Sequence, residues 1–150
     1  MVCLGNICRS PLAEGILAEK CKHLPVVVDS AGTAAYHVGN APDIRSQQVA
    51  RIHNINIENQ KARQLKHEDL KCFDSIFVMD KENYKNAIKL AKSESEKEKI
   101  QLILNSSNPG SNLEVPDPYY GGDDGFQYVF ELLDKACEVI KNQLEKDFNE

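Results

Sequence analysis

Cys3, Asn6, Cys8, Arg9 and Ser10 crowd into one segment, Cys3-Leu4-Gly5-Asn6-Ile7-Cys8-Arg9-Ser10-Pro11: a cysteine, five intervening residues, an arginine and a serine. A loop wrapped at a helix N-terminus turns backbone N–H groups inward, and with the helix dipole these form a cradle for a doubly charged oxyanion. Gly5 and Asn6 are residue types that accept the positive φ of such a curl. The planar fork of Arg9 binds two anion oxygens at once. The same positive field stabilises a thiolate on Cys3, and a hydroxyl from Ser10 can donate to that sulfur. Cys3 is then nucleophile and floor of the anion site together. The Walker pattern is absent, as is Gly-x-Gly-x-x-Gly. No second Cys or His pair stands at finger spacing to complete a metal site with Cys3 and Cys8.

A thiolate attacking phosphorus needs an acid for the departing oxygen, a contribution of about 10²–10⁴-fold. The loop Glu114-Val115-Pro116-Asp117-Pro118-Tyr119-Tyr120-Gly121 offers Asp117 between two stiffening prolines, with Tyr119 and Tyr120 able to wall a pocket for a flat leaving group. Taken alone, Asp-Pro is a turn signal. Its meaning comes from the company of Cys3 and Arg9.

The elements that must carry these residues alternate. Met1 to Cys3 reads as a strand end running into the loop, and Pro11 as the first helical residue with Ser10 as N-cap, in a helix ending near His23. Val26-Val27-Val28 reads as a strand buried on both faces, followed by the loop Ser30 to Thr33. Pro42-Asp43 opens a second helix, with Ile44, Val49 and Ile52 inward and a breaker at His53-Asn54. Ile76 to Met79 is a third strand, after which Asp80 caps a helix with Tyr84, Ala87, Ile88 and Ala91 on its apolar side. Lys92 to Lys99 reads as an exposed loop or helix end, and Ile100 to Leu104 as a fourth strand. Phe126, Val129, Phe130, Leu133, Cys137, Ile140 and Leu144 recur at helical spacing in a closing helix. The class is α/β with a mainly parallel sheet, in which ligands bind outside the carboxyl ends of the strands. The loop Leu4 to Ser10 lies at such an end.

The chain has 150 residues, enough for one domain with its own core. A net charge of -5 makes nucleic acid and anionic membrane surfaces poor default partners. No stretch approaches the ~20 apolar residues of a membrane span, and no signal-peptide pattern is visible. The five cysteines are odd in number and scattered, the pattern of reduced thiols in the cytoplasm.

Cys-Leu-Gly-Asn-Ile-Cys-Arg-Ser-Pro at positions 3–11, Asp-Ser-Ala-Gly-Thr at 29–33 and Asp-Pro-Tyr-Tyr-Gly at 117–121 resemble the low-molecular-weight protein tyrosine phosphatases, over nearly the whole chain and in matching order. The resemblance implies a four-stranded parallel sheet flanked by helices, one phosphatase domain over residues 1–150, and a two-step reaction through a cysteinyl-phosphate without cofactor or metal. By that resemblance Cys3 is the nucleophile, Arg9 binds phosphate and stabilises the transition state, and Asp117 is first acid and then base. Leu4, Gly5, Asn6, Ile7, Cys8 and Ser10 form the substrate-binding loop, and Tyr36, Tyr119 and Tyr120 line the pocket. Asn6, Ser30 and His53 match positions that hydrogen-bond to one another and fix the loop, although His53 by itself reads as an ordinary satisfied histidine. Cys8 matches a thiol that traps an oxidised nucleophile as a reversible disulfide, which makes the site redox-sensitive. The implied partners are phosphotyrosine proteins or small aryl phosphates, with inorganic phosphate as product, and the implied state is a monomer. Only Met1 and Val2 precede Cys3 where the family carries a full strand, so a truncated first strand is expected, one that added apolar residues would stabilise. Asn54 stands where a glycine is common and can take the same φ.

Three rival readings keep the loop and change the chemistry. An arsenate reductase needs a thiol relay, for which Cys72 and Cys137 are far apart in sequence. A protein-arginine phosphatase resembles this pattern with Thr at position 7, where the larger Ile7 crowds a guanidinium and the tyrosines suit a phenyl ring. A non-catalytic phosphate-binding module would lack the nucleophile or the acid, and both are present.

Overall fold

The computed structural model describes residues 1–119 and 123–149. Its centre is a four-stranded sheet, β1 (Val2–Cys3), β2 (Ala31–Gly32), β3 (Ile76–Val78) and β4 (Ile100–Leu102), in the order β2-β1-β3-β4 with every neighbouring pair parallel. Between the strands run α1 (Arg9–Lys20), α2 (Ile44–Ile52), α3 (His67–Cys72), α4 (Lys81–Ile88) and α5 (Glu94–Glu98), and after β4 come α6 (Leu104–Ser107) and α7 (Asp123–Asn149). The expected α/β class with a parallel sheet is the one observed.

Helices cover both faces of the sheet. Leu12 and Ile16 of α1, Val49 of α2 and Phe126, Val129 and Leu133 of α7 pack with Cys3 in one buried cluster. Val2, Ala31, Val78 and Ile100 pack with Leu70 of α3 and Ala87 of α4 in the other. Val2 and Cys3 thus serve opposite faces, as successive strand residues must. Each fully buried Leu, Ile or Phe contributes about 1.5–3 kcal/mol relative to exposure.

Several elements differ from the sequence reading. Val26 to Val28 form no strand, and Val27 is 81% exposed. The register pairs Val2 with Ala31, and the ladder between β1 and β2 starts with the Ala31 N–H on the Met1 carbonyl, downstream of the valines. They line a groove of about 760 Å³ with Phe77, Ile140 and Leu144. On α2 the buried stripe is Ser46, Val49 and Ala50, while Ile44 and Ile52 are exposed. The Ser46 hydroxyl donates to the Cys8 carbonyl, so a polar residue takes the inward position that an apolar pattern assigns to its neighbours. Glu94 to Glu98 form a helical turn, β4 stops at Leu102, Ile103 is the N-cap of α6 and Leu104 its first residue. α1 begins at Arg9 and ends at Lys20, which puts Pro11 third in the helix, where its missing N–H would have had no intrahelical partner. Asn54 has φ of 63°, the left-handed conformation anticipated for it.

Two close contacts bear directly on stability. A methyl on Gly32 would meet the Leu4 carbonyl oxygen at 2.7 Å and the Gly5 carbonyl carbon at 3.1 Å, so only glycine lets β2 approach the loop. Lys20 of α1 joins Glu138 at 2.8 Å and Asp134 at 3.1 Å on α7. Hydrogen bonds from Lys141 and Lys20 hold the Glu138 carboxyl down at about 2.

Gly32→Ala is expected to lower unfolding free energy by about 1–3 kcal/mol, read by urea denaturation, because backbone rather than a yielding side chain blocks the methyl. Glu138→Gln is expected to cost at most about 1 kcal/mol at pH 7, since the carboxylate is nearly half exposed. A depressed folded-state pKa stabilises above the ordinary value of 4.5 and loses that effect as pH falls toward about 2. The gap between wild type and Glu138→Gln should therefore shrink by about half or more between pH 7 and pH 3.

Candidate active site

The loop after β1 turns where Asn6 adopts φ of 59°, while Gly5 stays outside the left-handed region. A methyl on Gly5 would lie 2.9 Å from the His37 ring, which would have to shift to admit it. Asn6 is 3% exposed and fully engaged. Its amide nitrogen donates to Ser10 Oγ at 2.7 Å and Ser30 Oγ at 2.9 Å, and its carbonyl oxygen accepts the Arg63 backbone N–H at 3.0 Å. Ser30 in turn donates to Glu14 at 2.8 Å, and burial raises the Glu14 pKa despite that bond. The Ser10 hydroxyl accepts from Asn6 and lies 3.0 Å from Cys3 Sγ, to which it donates when that sulfur is a thiolate. The Asn6 backbone N–H reaches the same sulfur at 3.3 Å. Ser10 does not cap α1: it is the second residue of that helix, whose N-cap is Cys8, and its hydroxyl serves this chain of bonds instead.

Arg9 is almost wholly buried, with a side chain 4% exposed. One guanidinium nitrogen donates to Asp80 at 2.6 Å and to the Val115 carbonyl at 3.0 Å, and the other stands 3.7 Å from Asp117 Oδ2. Burial alone would lower its pKa, but the Cys3 sulfur, Asp80 and Asp117 together raise it, so the cation is secure. Asp117 is about one-third exposed, and its other oxygen accepts the Tyr119 N–H at 3.0 Å. Asp80 has a role the sequence reading missed. It caps α4 as expected, accepting the Asn83 N–H with one oxygen, while the other oxygen anchors Arg9. Its place beyond the carboxyl end of β3, beside the loop after β1, was the available signal. Arg63 was also missed: its guanidinium bridges Asp29 and Asp69 while its backbone N–H secures Asn6.

A cleft of about 320 Å³ opens over these groups, lined by Cys3, Leu4, Gly5, Ile7, Cys8, Arg9, Tyr36, His37, Asp117 and Tyr119. Tyr36 and Tyr119 are exposed at its mouth, while Ser10 and Ser30 lie behind the loop. Burial, followed by the Asp43, Cys3 and Asp117 charges, pushes the Cys8 thiol up to about 12. His53 is the exception among the expected loop supports. It is exposed, caps α2 and stacks on Phe130 at 3.9 Å, and the described bonds to Asn6 come from Ser10, Ser30 and Arg63 instead. Tyr120 lies outside the described residues. Among the described residues no cluster of His, Cys, Asp and Glu is gathered as for a metal ion.

A cysteine sulfur bonded to the Ser10 hydroxyl and the Asn6 N–H, with a buried guanidinium and a carboxyl at one cleft, can bind a tetrahedral oxyanion, attack it and shuttle a proton. Comparison with known proteins agrees with that chemistry. The family model for low molecular weight phosphotyrosine protein phosphatases matches residues 1–150. The low molecular weight phosphotyrosine protein phosphatase of Schizosaccharomyces pombe is 42% identical over 147 residues, covering 94% of this chain and 93% of that one. The crystal structure of a protein tyrosine phosphatase from Entamoeba histolytica superposes with a TM-score of 0.90 at 39% identity, covering 97% of this chain and 95% of that chain. A Drosophila arginine phosphatase superposes with a TM-score of 0.87 at 32% identity, over 95% of this chain and 94% of that chain. The chain belongs to the low molecular weight phosphotyrosine protein phosphatase family.

Proposed function

We propose that the chain hydrolyses phosphotyrosine and other aryl phosphate monoesters through a cysteinyl-phosphate. The observation that carries this reading is the convergence of Cys3 Sγ, the Arg9 guanidinium and the Asp117 carboxyl on one cleft, with Arg9 and Asp117 3.7 Å apart. The phosphate sits in the loop at the α1 N-terminus, where the first N–H groups have no intrahelical partner. Cys3 Sγ attacks phosphorus as the P–O bond to the aryl group breaks, and Asp117 gives its proton to the departing oxygen. Water then attacks the S–P bond, Asp117 takes a proton from it, and inorganic phosphate and the thiolate are released. Arg9 binds the equatorial oxygens in both steps. Ser10 and the Asn6 N–H support the thiolate, and Asn6 with Ser30 holds the loop in place.

Ile7 in the cleft wall and Tyr119 at its mouth favour a phenyl ring over a guanidinium, so tyrosine is preferred to arginine as the phosphorylated residue. Residues 1–150 act as one domain. Free thiols at Cys3, Cys8, Cys21, Cys72 and Cys137 suit the cytoplasm, and the reading is of a monomer there. Peroxide converts Cys3 to the sulfenic acid, which condenses with the Cys8 thiol to a disulfide and water.

Hydrolysis of p-nitrophenyl phosphate with EDTA present tests the reading. Activity should survive chelation and vanish in Cys3→Ser, which still binds inorganic phosphate; with phenyl phosphate, whose leaving oxygen needs the proton, it should fall about 10²–10⁴-fold in Asp117→Asn. Substantial turnover by Cys3→Ser would exclude the covalent route. After peroxide treatment, dithiothreitol should restore activity to wild type and not to Cys8→Ser; equal recovery in both would remove Cys8 from the redox reaction.

A further inference from the structure

Between the phosphate loop and the loop that carries Asp117 lies a chain of contacts to which the catalytic cycle assigns no role. The Asp43 backbone N–H donates to the Ile7 carbonyl at 2.8 Å, which ties the start of α2 to the phosphate loop. The Asp43 carboxylate accepts the Arg45 backbone N–H at 2.9 Å and two guanidinium bonds, from Nε and Nη2, at 3.1 Å each. Arg45 Nη2 also donates to the Tyr119 carbonyl at 3.1 Å. The guanidinium carbon stands 5.5 Å from the centre of the Tyr119 ring and 4.6 Å from that of Phe126, which is 2% exposed and so a fixed surface. Tyr119 closes the circuit, because its N–H is the bond that holds one Asp117 oxygen while the other faces Arg9.

We propose that Arg45 is a positioning residue for the acid: it fixes the Asp117 loop against the phosphate loop, so that the carboxyl meets the leaving oxygen. A planar, forked cation suits this place. It grips Asp43 in-plane, reaches a carbonyl with the same nitrogen and presents its face to two rings, a combination an ammonium cannot reproduce. Burial would raise the Asp43 pKa, but its bonds to Arg45 more than offset this and lower it, so the carboxylate stays charged and the grip persists. The proposal rests on the assignment of Asp117 as the acid.

The test compares kcat/KM for phenyl phosphate, whose leaving group needs a proton, with that for p-nitrophenyl phosphate, whose leaving group needs little. Arg45→Met should lower the first about 10- to 100-fold, the scale of a catalytic group displaced by about 1 Å, and the second far less. Arg45→Lys should behave like Arg45→Met. Asp43→Asn keeps the helix cap and weakens the grip, and should show the same leaving-group pattern in milder form. Inhibition by inorganic phosphate should be unchanged in all three, since the cradle itself does not use Arg45. In an Asp117→Asn background Arg45→Met should add almost nothing, because both changes remove one contribution. Equal losses on the two substrates, or a full additional loss in the Asp117→Asn background, would overturn the proposal. A flat leaving-group dependence in Asp117→Asn itself would overturn the acid assignment and the proposal with it, whereas a normal response there beside a flat one in Arg45→Met overturns the proposal alone.

Discussion

Everything at the catalytic end of the molecule depends on one buried amide. Asn6 holds a left-handed backbone conformation that costs a non-glycine residue of the order of 1–3 kcal/mol, and it is retained because all three of its side-chain bonds are satisfied by groups from elsewhere in the chain. Its carbonyl oxygen accepts from Arg63, which fixes which end of the amide faces the serines. That orientation makes Ser10 an acceptor from Asn6 and leaves its one hydrogen for the Cys3 thiolate. A glycine at position 6 would take the same φ and lose the whole chain of donors. The curl of the loop and the hydrogen-bonding of the nucleophile are therefore one constraint.

The fold supplies the partners that this amide needs. β1 lies inside the sheet, so the loop after it is flanked by the ends of β2 and β3. From β2 and the residue just before it come Gly32 and Ser30, the first as the absence of a side chain that would block Leu4 and the second as a hydrogen-bond partner. After β3 comes Asp80, which orients Arg9. Arg63 binds Asp29 and Asp69 with its side chain, so an ion-pair network locks the backbone that touches Asn6. The two hydrophobic clusters on opposite faces of the sheet hold these strand ends in register.

Much of this was legible in the sequence, for identifiable reasons. The cysteine, Asn6, Arg9 and Ser10 are contiguous, so local chemistry revealed the loop, and the strand-helix alternation revealed the sheet. The long stripe of Phe126 to Leu144 is a helix as read, because 3.6-residue periodicity is strongest over many turns. What failed were assignments that depend on who touches whom. His53 is a plausible hydrogen-bonding residue whose actual neighbour is Phe130, a fact of helix packing invisible from its position. Val26 to Val28 have strand composition, but a strand exists only where another backbone lies beside it. α3 is six residues long and carries one buried apolar residue, Leu70, too little for a periodic signal. Asp80 was visible as a cap, and the one signal for its second oxygen was its place beyond the carboxyl end of β3. Arg45 and Tyr119 are 74 residues apart, and only the tertiary structure brings the two together.

The central claim is that the phosphoryl group passes through Cys3. Acid quenching of the enzyme during steady turnover of p-nitrophenyl phosphate, followed by mass mapping of its peptides, tests this most directly. The account predicts a phosphoryl group on the peptide containing Cys3 and on that sulfur alone, formed as nitrophenolate is released and lost as substrate is exhausted. Undiminished turnover with a phosphoryl group on no cysteine, or on Cys8 in place of Cys3, would contradict it.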